Sequence, residues 1–424
     1  MLEIQRIREK KQELADKLKK VRKADYSAEL EQAFHIDEEK RNIQQKLDSA
    51  KANLNQLSSQ IGELYKQGKT SLANETKAKT SNLKEDIRQM KDRFTSLEKQ
   101  LNDVLLLVPN VPNDLVPEGI NESDNEQVFV SDYKELGNDL IPHWELAKKY
   151  NLIDFELGVK ITGAGFPVYM GKGAILQRAL IQFFLNEGNK AGYNELLVPH
   201  LVNEDSGYGT GQLPDKEGQM YHVVNDDLYL IPTAEVPITN VYRGNLLAYE
   251  DLPIKHVGYT PCFRREAGSY GKEVRGLNRL HQFDKVEIVQ ITSQEKSYDT
   301  LNEMKDHIES LIRKLGLPFR ILKLCGGDLG FTSALTYDFE VYSAGQKKWL
   351  EVSSVSNFET FQANRLKLRY RSQSDNKPKL AHTLNGSALA LPRILASLLE
   401  FYQSSEGVKI PDVLVPYTGF EWIN

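Results

Sequence analysis

The 424-residue sequence predicts an α+β protein, in which a long antiparallel α-helical coiled-coil arm precedes a domain built on an antiparallel β-sheet flanked by helices. Three observations support this prediction. Residues 1 to about 105 carry two heptad repeats and contain no proline. Two prolines then separate this region from the rest of the chain. The second part contains consecutive hairpin-like strand pairs and not a regular alternation of strands and helices.

Length and composition are typical of a soluble protein with two or three domains. Hydrophobic residues make up 40% of the chain, which is enough for a packed core. No apolar stretch is long enough for a signal peptide or a membrane span. The two cysteines, Cys262 and Cys325, fit a reducing compartment. We therefore expect a cytoplasmic protein with no membrane partner.

The charge balance limits how a nucleic acid could bind. The formal net charge is −5, so no basic field covers the whole surface, and such a partner would need local patches. The eight histidines are scattered, and no cysteine–histidine cluster has the spacing of zinc ligands. No zinc is therefore expected.

Two heptad seams predict the helical arm. In both seams apolar residues recur at steps of four and three, which is the a/d spacing of a coiled coil. The seams consist of Ile43, Leu47, Ala50, Leu54, Leu57, Ile61 and Leu64, and of Leu83, Ile87, Met90, Phe94, Leu97, Leu101 and Val104. Only residues 66–71 between them are turn-like, so the two helices must run antiparallel. Helices of roughly 40 residues reach on the order of 60 Å, which suits reach and not catalysis.

Shorter signals mark both ends of the hairpin. An earlier apolar seam predicts a short first helix at its base. Its members are Ile4, Ile7, Leu14, Leu18 and Val21. Pro109 and Pro112 end the second long helix and begin an extended linker. We therefore divide the chain into an arm over residues 1–108, a linker over 109–135 and a packed domain over 136–424.

A charged strand–loop–strand is a candidate nucleotide site. Residues 256–265 and 279–291 are rich in β-forming side chains and are joined by a polar loop. Arg264 and Glu266 stand at the end of the first strand, and Phe283 returns on the second. Arginine can bind phosphate, a carboxylate can accept from the adenine amino group, and an aromatic ring can stack on the base. A solvated hairpin rim explains this stretch equally well when it is taken alone.

A second predicted hairpin carries candidate metal ligands. Residues 337–342 and 349–354 are interpreted as strands around the turn 343–345. Oxygen atoms of Glu351 and Ser354 can hold a magnesium ion that bridges phosphates. Residues three apart lie on opposite faces of a regular strand, so a joint site requires a β-bulge. Half-exposed strands often contain Glu and Ser, and the pair alone does not define a metal site.

Two turns complete the candidate site. Asn385-Gly386-Ser387 is expected to lead into a helix over about 388–402 that contains Arg393. Free N–H groups at such a helix start, together with an arginine, can bind phosphate. Thr233-Ala234-Glu235 predicts another helix start, capped by the threonine hydroxyl. An ordinary strand-to-helix turn and a simple helix cap are the alternative explanations.

Together these features resemble the class II aminoacyl-tRNA synthetases, and most closely the seryl-tRNA synthetase family. The resemblance covers nearly the whole chain and depends on the order and spacing of the motifs behind the arm. Its segments are residues 107–112, 209–214, 233–235, 263–266, 279–283, 351–354 and 385–387. Pro199 also resembles the proline of the first class II motif, which implies a homodimer.

The resemblance implies a role for each site residue. Arg264, Arg279 and Arg393 are implied to be catalytic, the first on the α-phosphate and the others on the distal phosphates. Glu266 is implied to read adenine, with Phe283 as its stacking platform. The implied ATP-binding residues are Arg264, Arg265, Glu266, Phe283, Glu351, Val352, Ser353, Ser354 and Arg393, of which Glu351 and Ser354 bind Mg²⁺. The implied L-serine-binding residues are Thr233, Ala234, Glu235, Arg264, Glu287 and Ser387.

The implied activity is ATP-dependent activation of L-serine and its transfer to the 3′ end of tRNA(Ser). The resemblance also raises tRNA(Sec) as a second tRNA partner. Neither step needs a covalent enzyme intermediate, so His281 and Cys262 are interpreted as packing residues. Glu287 is hypothesised to contact the serine hydroxyl. The arm is implied to bind the long variable arm of the tRNA, mainly through backbone and shape.

Three positions depart from the family's pattern. Ala388 and Pro392 replace glycines ahead of Arg393, and a proline inside the expected helix would kink it and change the reach of Arg393. Gly165 stands where many relatives have an arginine, so no role of that arginine is assigned to this chain.

Two other functions stay open at the level of sequence. One is a ligase that loads an amino acid onto a carrier protein, and the other is a coiled-coil scaffold with a non-catalytic domain. The long arm argues against the first function. The phosphate-clamp arginines and the Glu351/Ser354 pair argue against the second.

Overall fold

The computed structural model describes residues 1–132, 140–215, 217–266 and 275–424. These residues form two compact units. The helical arm comprises Leu2–Lys19 and Ala24–Pro109. The sheet domain comprises Asn110–Asn424 together with Met1 and Lys20–Lys23. The end of the linker predicted at residue 135 lies outside the described residues.

The arm contains the three helices that the seams predict. They are α1 (Ile4–Val21), α2 (Ser27–Lys66) and α3 (Thr70–Leu105). Helix α2 ends where Gly68 takes the left-handed conformation (φ +73°), which glycine adopts without a steric penalty. Tyr65 donates to Asn74 Oδ1 at 2.9 Å near this turn, whereas Arg93 pairs with Glu39 far from it. The two long helices are therefore antiparallel, as predicted.

Some large seam residues near the turn are less buried than those at the base, although Ala73 and Thr80 near the turn are buried. Leu47 and Leu97 are at most 4% exposed, whereas the seam residues Leu57 and Ile61 are only half-buried. Close to the base, Arg8 of α1 also donates two hydrogen bonds to the buried Asp37 of α2, at 2.6 and 2.7 Å. The base thus packs three helices, and the distal part has only the α2–α3 seam as its core.

The sheet domain contains many short strands and a few long ones. In chain order its strands are β1 (Glu126–Val130), β2 (Ile153–Asp154), β3 (Val168–Tyr169), β4 (Asn194–Glu195), β5 (Leu201–Asn203), β6 (His222–Val223), β7 (Leu228–Leu230), β8 (Leu246–Leu247), β9 (Ile254–Phe263), β10 (Gln282–Thr292), β11 (Phe319–Lys323), β12 (Leu335–Ser343), β13 (Lys348–Asn357), β14 (Arg369–Arg371), β15 (Pro378–Leu380), β16 (His382–Ala390), β17 (Val408–Lys409) and β18 (Trp422–Ile423).

The helices of this domain connect and cover the strands. They are α4 (His143–Lys149), α5 (Phe155–Ile161), α6 (Gly171–Lys190), α7 (Glu204–Thr210), α8 (Glu235–Asn240), α9 (Ser297–Leu315), α10 (Thr360–Leu366), α11 (Leu391–Phe401) and α12 (Val415–Thr418). None of the helices among the described residues is long and apolar enough to cross a membrane.

One large sheet organises the domain. In the described part of the chain it has eight strands in the order β1-β11-β12-β13-β16-β10-β9-β4. All neighbours are antiparallel except β4 and β9. Every residue of β10 from Lys285 to Thr292 is buried, so both faces of the sheet are covered there. Helices α6, α9 and α11 pack against these central strands and complete the core.

Two predicted boundaries are wrong around the strand–loop–strand. Strand β9 ends at Phe263 and β10 begins at Gln282, so Arg264, Arg265 and Arg279 lie beyond the strand ends. Side chains just past a strand are not restricted to the two faces of the sheet. The site arginines are therefore placed where they can turn toward a ligand.

The helix expected over about 388–402 starts later than predicted. Asn385, Gly386 and Ser387 lie inside β16, where Gly386 pairs with Ile288 of β10 and with Val355 of β13. Helix α11 begins only at Leu391. Pro392 therefore lies in its first turn, where the missing N–H has no intrahelical partner to lose. The expected kink before Arg393 does not occur.

Candidate active site

A buried carboxylate on the central strand β10 anchors the site. Glu287 is fully buried and lies directly opposite Ser387 of β16. Lys285, two residues earlier on the same face of β10, places its ammonium nitrogen 2.7 Å from Glu287 Oε2. Asn385 donates to the other carboxylate oxygen at 2.8 Å, and the Ser387 hydroxyl donates at 3.3 Å. The strands thus bring one anion, one cation and two neutral donors together.

The Thr233-Ala234-Glu235 turn adds a second carboxylate beside this cluster. The Thr233 hydroxyl accepts the Glu235 N–H and donates to Glu287 Oε2, both at 3.3 Å. The predicted cap is therefore displaced by one residue, because Ala234 occupies the N-cap position of α8. The Ala234 side chain packs in a small apolar cluster, and its part in the site is to set this turn.

The electrostatics of Glu235 follow from its surroundings. Burial, and then the negative charge of Glu287, raise the pKa of Glu235 to about 7. Gln362 of α10 donates to Glu235 Oε1 at 2.7 Å and opposes that rise, as do the nearby charges of Lys285 and Arg264. Glu235 and Glu287 therefore form a pair of buried carboxyl groups that favours a ligand carrying a positive charge.

Arg264 lies at the entrance to this pair. Its Nε donates to the carbonyl oxygen of Pro232 at 3.3 Å, and its guanidinium carbon lies 5.2 Å from the centroid of the Phe283 ring. The strand pairing produces this contact, because Phe283 is paired with Cys262, two residues before Arg264. A guanidinium on an aromatic face keeps donors free for a ligand carboxylate or phosphate.

Two residues implied to bind the nucleotide are paired with each other. Arg279 Nη1 lies 3.0 Å from Glu266 Oε2. The adjacent Arg265 has its guanidinium 5.9 Å from the Tyr221 ring centroid, and its backbone N–H donates to Gln219 O at 2.9 Å. Residues 267–274 of the loop lie outside the described residues. The structure therefore brings Glu266 and Arg279 to one side of the site.

Arg393 links helix α11 to strand β13 and to the segment that precedes β10. It projects from the first turn of α11, donates to the Glu351 carbonyl oxygen at 2.7 Å and to Asn278 O at 3.0 Å, and lies 3.8 Å from the Glu351 carboxylate. The guanidinium is only partly buried, so it can also contact a ligand. Arg393 thus lies beside Glu351, another residue of the predicted site.

A β-bulge joins the candidate metal ligands. The register between β12 and β13 shifts between Phe339 and Glu340, so Val352 has no partner and Glu351 and Ser354 share a face. Ser354 Oγ lies 3.3 Å from Glu351 Oε1. Val352 is buried, and the Ser353 hydroxyl donates to Ser387 O at 2.6 Å, so the side chains of these two residues hold the strands together.

Asp338 is a further acidic residue at this position, and sequence reasoning missed it. It pairs with Ser354 across β12 and β13, and its buried Oδ1 has no hydrogen-bond partner among the described residues. Burial, and then the charge of Glu351, raise the pKa of Asp338 well above its usual value. The carboxylates of Asp338 and Glu351 and the hydroxyl of Ser354 lie close together, and one Asp338 oxygen is unpartnered. This set of oxygen atoms fits a magnesium ion whose other ligands are phosphate and water. No larger group of metal-ligating residues occurs in the described part of the chain.

Gly165 is explained by a close contact. It has φ +83°, and a Cβ there would lie 2.3 Å from Cδ2 of His281. His281 in turn donates its backbone N–H to Gly165 O at 2.9 Å, stacks on Phe166 and contacts the Tyr221 hydroxyl through Nδ1 at 2.8 Å. No larger residue fits position 165 in this arrangement, and His281 packs against Gly165, Phe166 and Tyr221.

A cavity of about 880 Å³ opens beside these residues, as bounded by the described part of the chain. Glu266, Arg279 and His281 line it on one side, and Trp144 and Asp154 on the other. Of the residues implied to bind the nucleotide, Glu266 and Arg279 line this cavity, whereas Arg264, Phe283, Glu351, Ser354 and Arg393 do not.

Three members of the site were missed by sequence reasoning: Lys285, Gln362 and Asp338. Lys285 had a usable signal, because a lysine within a strand rich in apolar residues must find a buried partner. The other two are polar residues whose sequence neighbourhoods contain no motif. Only the strand register and the position of α10 bring them to the site.

The large, mostly antiparallel sheet with arginines beside its strand ends is the architecture of a class II aminoacyl-tRNA synthetase core. Residues 221–402 match the family described as tRNA synthetase class II core domain (G, H, P, S and T). Residues 1–112 match the seryl-tRNA synthetase N-terminal domain, and the chain belongs to the seryl-tRNA synthetase family.

Individual relatives agree with this assignment. The serine–tRNA ligase of Salinibacter ruber is 49% identical over 389 residues, which cover 91% of each chain. That of Chlorobium phaeovibrioides is 45% identical over 428 residues, covering 100% of this chain and 99% of the relative. The crystal structure of seryl-tRNA synthetase from Pyrococcus horikoshii complexed with ATP has a TM-score of 0.92 at 32% identity, covering 100% of this chain and 99% of that one.

Proposed function

We propose that this chain is a serine–tRNA ligase, which activates L-serine with ATP and transfers it to the 3′ end of tRNA(Ser). The observation that carries the proposal is the pair of buried carboxyl groups, Glu235 and Glu287, with the charge of Arg264 nearby. A small zwitterion with a hydroxyl group complements this set of charges. The names of the relatives support the same reaction.

Each part of serine has a complementary partner in the site. Its ammonium group binds at Glu235, and its carboxylate is held by the Arg264 guanidinium. Its hydroxyl reaches Glu287, where the contacts from Thr233 and Ser387 are long, at 3.3 Å, and can be exchanged for the ligand. An amino acid without a hydroxyl leaves part of this buried network unpaired, which selects serine over alanine.

ATP is bound by the arginines around the sheet. In the first step an oxygen of the serine carboxylate attacks the α-phosphorus, the bond to the bridging oxygen breaks, and pyrophosphate leaves. Arg264 binds the α-phosphate, while Arg279 and Arg393 bind the distal phosphates, and Glu266 and Phe283 hold adenine. Glu351 and Ser354, next to Asp338, would hold a magnesium ion, which would neutralise negative charge on the phosphates.

In the second step a hydroxyl of the terminal tRNA adenosine attacks the acyl carbon, and AMP leaves. The protein's contribution is to align the two reactants, and no side chain acts as a nucleophile. The helical arm binds the tRNA, with tRNA(Ser) as the main partner and tRNA(Sec) as a second. A homodimer in the cytoplasm completes the proposal.

The test is ATP–pyrophosphate exchange measured with each of the twenty amino acids. Serine should support exchange, and alanine and threonine should support far less. Transfer of labelled serine to tRNA(Ser) should follow. Exchange with another amino acid in preference to serine would overturn the proposal, as would transfer of serine to a carrier protein and not to tRNA.

A further inference from the structure

A fully buried imidazole–carboxylate pair lies behind the arginines. His143 begins α4 and Glu400 is near the end of α11, and both side chains are 0% exposed. The backbone N–H and the Nδ1 of His143 both lie within hydrogen-bond distance of Glu400 Oε1, at 2.9 and 2.7 Å. Neither residue contacts the serine or ATP positions proposed above.

The hydrogen bonds define the state of both groups. The backbone N–H of Leu277 donates to His143 Nε2 at 2.9 Å, so Nε2 carries no proton and Nδ1 is the donor to Glu400. Glu400 accepts hydrogen bonds from the backbone N–H groups of His143 and Gly345 and from the Ser343 hydroxyl, as a carboxylate does. A neutral imidazole is thus clamped on one side by an anion and presents an acceptor on the other.

His143 Nε2 holds the backbone of the segment that leads from the β9–β10 loop into β10. Gly276, one residue before Leu277, has φ +67°, and a Cβ there would lie 2.3 Å from His143 Nε2. The next residue, Asn278, exchanges two hydrogen bonds with Gln346, at 2.8 and 3.2 Å. The segment 276–278 is therefore pressed against the imidazole and fastened on both sides.

The same segment supports the phosphate-binding arginines. The carbonyl oxygen of Asn278 accepts from Arg393 Nε at 3.0 Å, and Arg279 is the following residue. Arg393 and Glu400 lie seven residues apart, which places them on one face of α11 and about 10 Å apart along its axis. One helix thus presents the arginine at one end and, at the other, the carboxylate that orients the imidazole.

We infer that His143, oriented by Glu400, is a positioning residue for the ATP phosphate clamp, acting through Leu277 and Asn278 on Arg393 and Arg279. The inference rests on the proposed roles of those arginines. A merely structural His143 would need its bond to Glu400 alone, which already holds α4 to α11. A positioning role requires Nε2, which accepts from Leu277, whereas a structural role requires only Nδ1. The two roles therefore depend on different atoms of one ring.

Two substitutions separate these atoms. In His143→Asn the side-chain amide lies near the place of Nδ1 and can still donate to Glu400, but the acceptor for Leu277 is lost. In His143→Gln the amide oxygen reaches the place of Nε2 and keeps that acceptor. Losing one buried hydrogen bond should raise KM for ATP about fivefold in His143→Asn, whereas His143→Gln should stay within about twofold. KM for serine should be unchanged in both variants.

A second pair of variants tests the contact without altering the histidine. Gly276→Ala places a methyl group against Nε2 and should raise KM for ATP as His143→Asn does. Gly419→Ala is the matched control, because Gly419 also has a positive φ (+74°) but nothing lies within 4 Å of its Cβ position. It carries the same backbone strain and should leave both KM values unchanged.

Coupling to the arginine completes the test. In an Arg393→Ala background, His143→Asn should raise KM for ATP by a smaller factor than it does in the wild type, because one of the two arginines it positions is gone. Additive effects would overturn the inference, as would equal losses in His143→Asn and His143→Gln or a parallel rise in KM for serine. Wild-type protein without serine-dependent exchange, or an Arg393→Ala variant with normal KM for ATP, would contradict the proposed function instead.

Discussion

Lys285 and Glu287 lie 2.7 Å apart in the interior of the sheet, and neither is more than 5% exposed. Replacing the carboxylate by an amide leaves a buried ammonium without its anion and turns one of the two acceptor oxygens available to the serine hydroxyl into a donor. We predict that Glu287→Gln lowers kcat/KM for serine on the order of a hundredfold. The rate ratio of serine to alanine should fall as well, as measured by pyrophosphate exchange.

Glu126→Gln provides the control for that substitution. Glu126 lies on the edge strand β1 and forms an ion pair of 2.7 Å with Lys323 of β11. The Glu126 side chain is half exposed. The same chemical change there should leave serine activation unaffected. An unchanged serine-to-alanine ratio in Glu287→Gln would show that the hydroxyl is recognised elsewhere.

Glu235 makes serine binding dependent on pH. Its pKa of about 7 in the folded protein, raised by burial and then by Glu287, means that it is protonated at pH 6 and mostly charged at pH 8. Serine's ammonium binds the charged form, so KM for serine should fall as pH rises from 6 to 8 and level off above. Glu235→Gln should raise KM for serine and flatten this profile. A profile that persists in the variant would assign the titration to another group.

The raised pKa of Glu235 also makes the stability of the protein depend on pH. Serine binding favours the charged carboxylate, whereas folding favours the protonated form. Glu235 binds its proton more tightly when the protein is folded than when it is unfolded. Its contribution to stability is therefore complete below about pH 4.5 and is lost as pH rises through about 7. Bound serine reverses the preference, because it stabilises the charged carboxylate.

At the scale of elements, the coiled-coil seam offers a matched comparison. Leu97 is 1% exposed near the base of the arm, whereas Leu57 is half-buried nearer the turn. We predict that Leu97→Ala costs about 3 kcal/mol of unfolding free energy, and Leu57→Ala about 1 kcal/mol. Urea unfolding followed by helical circular dichroism measures both changes. Equal losses would show that the distal seam is as well packed as the base.

The arm helices and the strands of the sheet domain differ in how far the sequence predicts them. The arm helices follow directly from the heptad spacing, because each turn of a coiled coil repeats the same contact. Strand β16 was mistaken for a turn and helix start, since Gly386 and Ser387 have low intrinsic β propensity. Pairing with β10 on one side and β13 on the other overrides that preference.

The candidate site shows the same division. Arg264, just past the end of a recognisable strand, and Glu351, within another, were predicted from the order of the motifs along the chain. Gln362 and Asp338 were not predicted, because each acts on a residue that lies more than ten positions away and is brought near only by packing. A polar residue of this kind becomes identifiable once burial requires it to have a partner.

For the whole molecule, the division into two compact units allows binding of tRNA and activation of serine to be separated. The residues proposed to bind serine and ATP all lie in the sheet domain, and the arm has a hydrophobic seam of its own. An enzyme that lacks most of the arm should therefore still form the adenylate. Charged groups on the arm would supply tRNA affinity that weakens steeply with salt.

We predict that replacing residues 30–103 by a short glycine–serine linker leaves serine-dependent pyrophosphate exchange within about twofold of the full chain, because no proposed serine or ATP contact is removed. Charging of tRNA(Ser) should fall at least about a hundredfold, since a loss of roughly 3 kcal/mol in tRNA binding already has that effect. The two activities are measured on the same preparation, with full-length protein carrying Leu57→Ala as the control for mild destabilisation of the arm. Normal charging by the shortened protein would show that tRNA is selected by the sheet domain alone. A parallel loss of exchange would show that the arm stabilises the active site and does not act only by binding tRNA.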